Sequence, residues 1–196
     1  DEMAFFRSRR LYPVHVPILT EAVAVLKAPH APTDSVSLED LRRALTGKST
    51  TRVFIDDARG GVVRTVVDSI LGGRADALRN VSAFRNTDTL LQHLANTPDA
   101  IALVAYAHLS DLDDPQCRAV RERITLCRVS ASGAAVLPNQ TNLADGQYPL
   151  RRKLYAVLKE GKTGLGTGFV SFVAGHKGQR IILKTGLVPQ TIPGRD

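Results

Sequence analysis

The 196-residue chain has no tryptophan, one methionine, two cysteines and only 5% aromatic residues. So few aromatic faces leave little for unpaired bases to stack on, so a platform for single-stranded nucleic acid is poorly supplied. No apolar run approaches the ~20 residues that a membrane-spanning helix needs. Cys117 and Cys127 stand outside any CxxC frame, and His15, His30, His93, His108 and His176 are scattered, so no zinc site of recognisable spacing exists and no metal is expected. The two cysteines suit a disulfide in an oxidising compartment and suit buried apolar thiols equally well; the pattern leaves both readings open.

Catalytic frames are missing too. There is no GxSxG elbow, no Ser/His/Asp arrangement and no pair of acids beside an apolar stretch, so neither catalytic residues nor a cofactor is expected. Asp111-Leu112-Asp113-Asp114 has the acid density of a calcium loop but lacks its glycine and terminal glutamate, and reads as a solvated loop. The glycine cluster from Gly161 to Gly168 lacks the GxxxxGK[ST] spacing of a nucleotide loop and reads as a helix start capped by Thr163 or Thr167.

What is present is 43% hydrophobic residues, enough for a buried core, and a net charge of +7. The excess favours anionic partners through its long-range field. It is spread over Arg7-Ser8-Arg9-Arg10, Arg42-Arg43 and Arg151-Arg152-Lys153, which reads as a solvated basic surface, and nucleic acid is not expected as a partner.

Periodicity gives the elements. Met3–Arg9 reads as a short helix, followed by β-like runs at Val14–Leu19 and Ala22–Leu26. Ser37 with Asp40 imitates a capping box before a helix carrying Leu38, Leu41 and Leu45, closed by Gly47. A strand is expected at Arg52–Ile55, then a helix over Val62–Leu71 with Val63, Val66, Val67, Ile70 and Leu71 in one stripe, ended by Gly72-Gly73. Val81–Phe84 is a further strand, a helix opens at Asn86 or Thr87, and Ala100–Ala105 is a fully apolar strand of the kind buried in a parallel sheet. From Asp111 to Gln147 the pattern weakens. Tyr148–Leu158 alternates as a strand, and Gly164–Ala174 and Gly178–Leu183 read as closing helices. Strand–helix alternation predicts an α/β fold with largely parallel sheets.

One piece has the build of an anion site: Val53-Phe54-Ile55-Asp56-Asp57-Ala58-Arg59-Gly60-Gly61-Val62-Val63-Arg64. A strand ends, two glycines allow a tight turn, and a helix begins with unpaired N–H groups and the positive end of its dipole. Arg59 or Arg64 is placed to pair a phosphate or carboxylate. The candidate anion-binding residues are Arg59, Gly60, Gly61, Val62 and Arg64.

The stretch Gly164–Pro189 resembles the C-terminus of substrate-binding proteins of phosphate ABC transporters, in particular a lipoprotein-like branch. Gly146-Gln147-Tyr148-Pro149-Leu150-Arg151-Arg152 is similar to that family's Tyr-Pro-Leu-Ser/Thr-Arg segment, and Leu38–Lys48 to its Leu-x-x-Leu-x-x-Ile-Phe-x-Gly-Lys helix end. Val66–Gly73 and Ile101–Val104 fall in the same register. The resemblance implies a two-lobed periplasmic-binding-protein fold of type II that closes on an oxyanion, with an incomplete first lobe. It divides the chain into a first-lobe remnant and crossover strand over 1–27, a second lobe over 28–105, and a return crossover with the first lobe's C-terminal part over 106–196. It further implies a periplasmic or cell-envelope location, an ABC transporter permease as partner, and membrane contact only through a lipid anchor outside this chain. The family's opening segment has no counterpart here, and the chain begins Asp1-Glu2-Met3-Ala4 without a leader.

Two departures bear on the ligand. Where relatives carry Ser-Gly-Thr or Ser-Ser-Thr, this chain has Gly60, Gly61 and Val62, and Asp56 stands at the position of the family's arginine. The hydroxyl donors are gone, and an acid there repels a dianion unless it is protonated or paired. The alternative expectation is therefore a sensor or envelope interaction module that no longer binds phosphate.

Overall fold

The computed structural model describes residues 2–56, 60–159 and 164–194. A short helix, α1 (Glu2–Ser8), leads into β1 (Val14–Lys27), a strand of 14 residues. Next come β2 (Ser35–Ser37) and α2 (Leu38–Leu45), whose start is fixed by the reciprocal box of Ser37 and Asp40. Gly47, at φ +70°, ends that helix in the left-handed region that glycine enters without a Cβ clash. The chain continues through β3 (Arg52–Ile55), α3 (Gly61–Leu71), a 3-10 turn at Ala75–Ala77, β4 (Val81–Ala83), α4 (Thr87–Ala95) and β5 (Ala100–Ala105). It then runs through α5 (Ala107–Ser110), α6 (Pro115–Glu122), β6 (Thr125–Leu126), β7 (Arg128–Ser130) and α7 (Gln140–Ala144). It closes with β8 (Arg151–Leu158), α8 (Leu165–Ala174), α9 (His176–Lys184) and β9 (Val188–Pro189).

The main sheet has the order β4-β3-β5-β1-β6, and β8 and β9 also pair with β1. Parallel pairing is confined to β3 with β4 and β5 and to the separate β2–β7 pair, while β1 runs antiparallel to all its partners. The sheet is thus mixed, not largely parallel, because one long antiparallel strand ties two portions together. The two β-like runs expected before Lys27 are this single strand. Val14 to Ala22 pairs with β8 and Val23 to Lys27 with β5, so the ladder carries Thr20 and Glu21 through without a break. Its register slips between Pro17 and Leu19, where proline has no N–H to donate.

The core lies around the second half of β1, whose residues Ala22 to Leu26 are fully buried. The same core takes in Leu41 of α2, Val66 and Ile70 of α3, and Leu90, Leu91 and Leu94 of α4. Each such aliphatic side chain contributes about 1.5–3 kcal/mol on burial, and truncating one to alanine costs about 2–5 kcal/mol. Val66, Val67, Ile70 and Leu71 of the α3 stripe are buried as expected, while at its start Val62 is buried and Val63 only partly so. Tyr148 and Leu150 precede β8 rather than belonging to it, yet both are fully buried, and the Tyr148 hydroxyl donates to the Val23 carbonyl at 2.9 Å.

The weakly patterned stretch contains α6 and α7. In α6 only Cys117 is buried, so the helix lacks the apolar stripe by which a helix is recognised, and it starts on Asp114 as N-cap with Pro115 behind it. The last helix is longer than Gly178–Leu183, running from His176 to Lys184. Cys117 and Cys127 are both free and buried. Burial pushes the Cys127 thiol up to about 11, with Lys27 opposing and Asp34 adding a little.

Candidate functional site

The carboxyl ends of β3 and β5 face one another across a topological switch point. From β3 the chain crosses through α3 to β4 on one side, whereas β5 is the neighbour of β3 on the other. Open α/β sheets bind ligands at such a divergence. At the end of β3 stands Asp56, and Gly60 opens α3 as an N-cap with no side-chain cap bond. At the end of β5, Tyr106 leads into Ala107 and His108. Asp56 Oδ2 lies 3.8 Å from His108 Nε2, which links the two ends.

A pair of charges from other strands completes the place. Glu21 of β1 and Arg152 of β8 are cross-strand partners. Arg152 donates from Nε (3.0 Å) and Nη2 (2.5 Å) to Glu21 Oε1, and the Ala107 N–H reaches Glu21 Oε2 at 3.4 Å. Glu21 is 2% exposed. Its carboxylate therefore needs both partners, because an uncompensated buried charge is strongly unfavourable. The third nitrogen, Arg152 Nη1, comes so close to Gly61 that a Cβ there would lie 2.6 Å from it. Glycine at this position lets a guanidinium approach the first turn of α3. A cation and a helix N-terminus are thus brought together, and both favour an anion.

Of the residues expected to hold an anion, Gly60 and Gly61 lie at this place. Val62 offers only its backbone N–H, because its side chain points into the core. Arg64 lies one turn into α3 with its Nε 3.9 Å from Asp68 Oδ2. Arg59 lies outside the described residues, as do Asp57, Ala58, Thr163 and the start of the glycine cluster. Sequence reasoning missed Glu21, Arg152 and His108. Glu21 did leave a signal: it is the one acid inside a long apolar strand, and a charge there needs a partner. For Arg152 the signal was its place at the arginine of the Tyr-Pro-Leu-Ser/Thr-Arg segment, masked by a run of basic residues that reads as surface. Among the described residues no cluster of His, Cys, Asp and Glu has the makings of a metal site.

No family model matches the chain, and no curated protein matches it. Solved structures do. A protein assigned as a phosphate ABC transporter substrate-binding protein from Clostridium perfringens, with bound phosphate, superposes with a TM-score of 0.74 at 17% identity, over 91% of this chain and 72% of that one. An ABC-type phosphate transport receptor from Vibrio cholerae gives 0.66 at 12% identity, over 90% and 72%. A human phosphate-binding apolipoprotein gives 0.67 at 12% identity, over 96% and 73%. At these identities the likeness concerns the fold. The chain has the two-lobed α/β fold of type II periplasmic binding proteins and spans about seven tenths of each of these structures, in keeping with an incomplete first lobe.

Proposed function

We propose that this chain is the greater part of an extracytoplasmic solute-binding protein that holds phosphate or a related oxyanion and delivers it to an ABC transporter permease. The observation that carries the reading is the Arg152 guanidinium held against the start of α3 at Gly61. Helix N–H groups and a fixed cation make an anion site without serine or threonine hydroxyls. In this reading residues 28–105 form the second lobe, and the first half of β1 with β8, β9, α8 and α9 belongs to the first. The anion lies between Gly60-Gly61 and Arg152, with Arg64 one turn further along α3. No catalytic role is assigned to any residue.

The solved structures of like fold support the reading, since they are described as phosphate-binding or phosphate-transport proteins. A second reading, a sensor or envelope module without phosphate affinity, draws on Asp56 at the same switch point and on the engagement of Arg152 by Glu21. Calorimetric titration with inorganic phosphate against a chloride control separates the two. Saturable phosphate binding that vanishes in the double variant Glu21→Leu, Arg152→Met, which leaves no unpaired buried charge, is the expected result. No heat from phosphate in the intact chain sinks the first reading and leaves the second.

A further inference from the structure

Beside the candidate anion site lies a depression of about 590 Å³ between the start of α4 and the α5–α6 pair. Ala107 and His108 form its near wall, and these residues also meet Glu21 and Asp56. The depression therefore begins at the two residues that border the site. Inorganic phosphate has five heavy atoms and fills a small fraction of such a space, which lies within the range of about 300–1,000 Å³ typical of small-molecule sites.

The lining says what the remainder would hold. Its arginine is already engaged, and its acids already accept hydrogen bonds. Asp88 pairs with Arg123 at 3.2 Å, and Asp114 is occupied by the Gln116 amide and by the Cys117 thiol. A second anion finds no unpaired arginine there, since Arg123 is held by Asp88, whereas the partners of Asp114 are neutral and leave its carboxylate to accept from a hydroxyl. What the lining offers besides is neutral hydrogen bonding. The Asn86 carbonyl oxygen is taken by the Thr89 amide, which leaves its NH₂ for a ligand, and the Thr87 hydroxyl and the Gln116 side-chain amide stand beside it. Neutral donors and acceptors around a wet cleft suit hydroxyl groups.

We infer that the ligand is a phosphate monoester with a short hydroxylated substituent. Its phosphate sits at Gly60-Gly61 and Arg152, and its hydroxyls lie in the depression beyond His108. This rests on the oxyanion reading above and narrows it to a class of organic phosphates.

The test is calorimetric titration of the intact chain, at matched pH and salt, with inorganic phosphate, glycerol 3-phosphate and glycerol. Glycerol 3-phosphate should bind about tenfold or more tighter than phosphate, the worth of one or two added hydrogen bonds, with glycerol silent. Ala119 lines the depression and is exposed on α6, so Ala119→Phe fills the space without disturbing the core. That variant should abolish the advantage of the ester and leave phosphate affinity unchanged. Equal or tighter binding of phosphate, or an ester advantage that survives Ala119→Phe, overturns the inference while leaving the oxyanion reading intact. If neither anion binds, the oxyanion reading fails and the inference falls with it.

Discussion

Glu21 and Arg152 lie opposite each other on β1 and β8, and both Arg152 bonds, from Nε and Nη2, converge on a single Glu21 oxygen. The pair sits where β1 passes from its β8-paired half to its β5-paired half, since β8 pairing ends at Ala22 and β5 pairing begins at Val23. One ion pair therefore joins the two portions of the sheet and also presents a guanidinium to α3. Whatever draws Arg152 toward an anion at Gly61 competes with Glu21 and acts on the junction between the portions.

Removing one partner of this pair should cost far more than removing both. Glu21→Gln leaves the guanidinium, whose side chain is 17% exposed, without its counter-charge, and breaking such a pair costs about 3–5 kcal/mol when fully buried. The expected loss is on the order of 3 kcal/mol from urea denaturation. The double variant Glu21→Leu, Arg152→Met should recover most of it. Equal losses in the single and double variants would refute the coupling.

Gly61→Ala tests the close approach by the sign of its effect. At the first position of a helix, alanine in place of glycine is normally favourable by up to about 1 kcal/mol. Here the new Cβ would meet Arg152 Nη1 at 2.6 Å and push the guanidinium off Glu21. The substitution should therefore destabilise the chain by about 1–2 kcal/mol, in the range of overpacking. In the Glu21→Leu, Arg152→Met background it should become neutral or stabilising. A stabilising Gly61→Ala in the unaltered chain would mean that Arg152 does not lie there.

Much of the architecture between residues 28 and 105 was legible because its cues are local. Ser37 and Asp40 cap α2, Asn86 caps α4, and Gly72-Gly73 end α3 in the left-handed region, all within a few residues of the element each one bounds. The start of α3 could be singled out as a candidate anion site for the same reason. The rest of the site was not, since Glu21 and Arg152 are separated by 131 positions and no periodicity connects them. The α6 helix escaped because its outward faces are polar and its one buried residue is a cysteine. Sheet direction was misjudged because an apolar strand such as Ala100–Ala105 reads alike beside a parallel β3 and an antiparallel β1.

Adding hydroxyls at the start of α3 should act oppositely at two neighbouring positions. Gly60 has extended N-cap geometry, φ −74° and ψ 165°, which serine adopts readily. Gly60→Ser should tighten phosphate binding about tenfold or more, since a hydrogen bond to a charged group is worth about 1.5–3 kcal/mol. Val62 is buried, and Val62→Thr puts a hydroxyl into the core at a cost of about 1–3 kcal/mol of stability with no gain in affinity. Titration and urea denaturation of both variants read this directly. Tighter binding from Val62→Thr would contradict the orientation of Val62.

Alkaline pH should destabilise the fold through Cys127. Burial raises its thiol from the usual 9.0 to about 11, so the folded state holds the proton more tightly than the unfolded chain. For a thiol neutral in the fold, that stability is complete below pH 9 and is lost as pH rises from 9 to 11. Two units correspond to about 2–3 kcal/mol. Tyr148, raised by burial as well, adds to the loss at higher pH. Urea midpoints should fall across this window, and Cys127→Ala should flatten the fall. A midpoint constant from pH 9 to 11 in the unaltered chain would refute it.

The last prediction concerns the surface of α8. Leu165, Phe169 and Phe172 recur at helical spacing and are 91%, 65% and 50% exposed, although the opposite side of the helix reaches β8 through Gly166. On the neighbouring α9, Ile181 is 54% exposed. Single exposed apolar residues are ordinary, but several large ones on one helix face form a patch that soluble monomers seldom leave open. The isolated chain should therefore bind a hydrophobic reporter dye while folded, or associate with itself as concentration rises. Phe169→Lys with Phe172→Gln should remove both behaviours and change stability by no more than about 0.5 kcal/mol per site, as is usual for exposed positions. A unimolecular, dye-silent chain would show that this face is not a sticky surface. A large loss of stability in the double variant would show that these rings pack on something in the fold, contrary to their exposure.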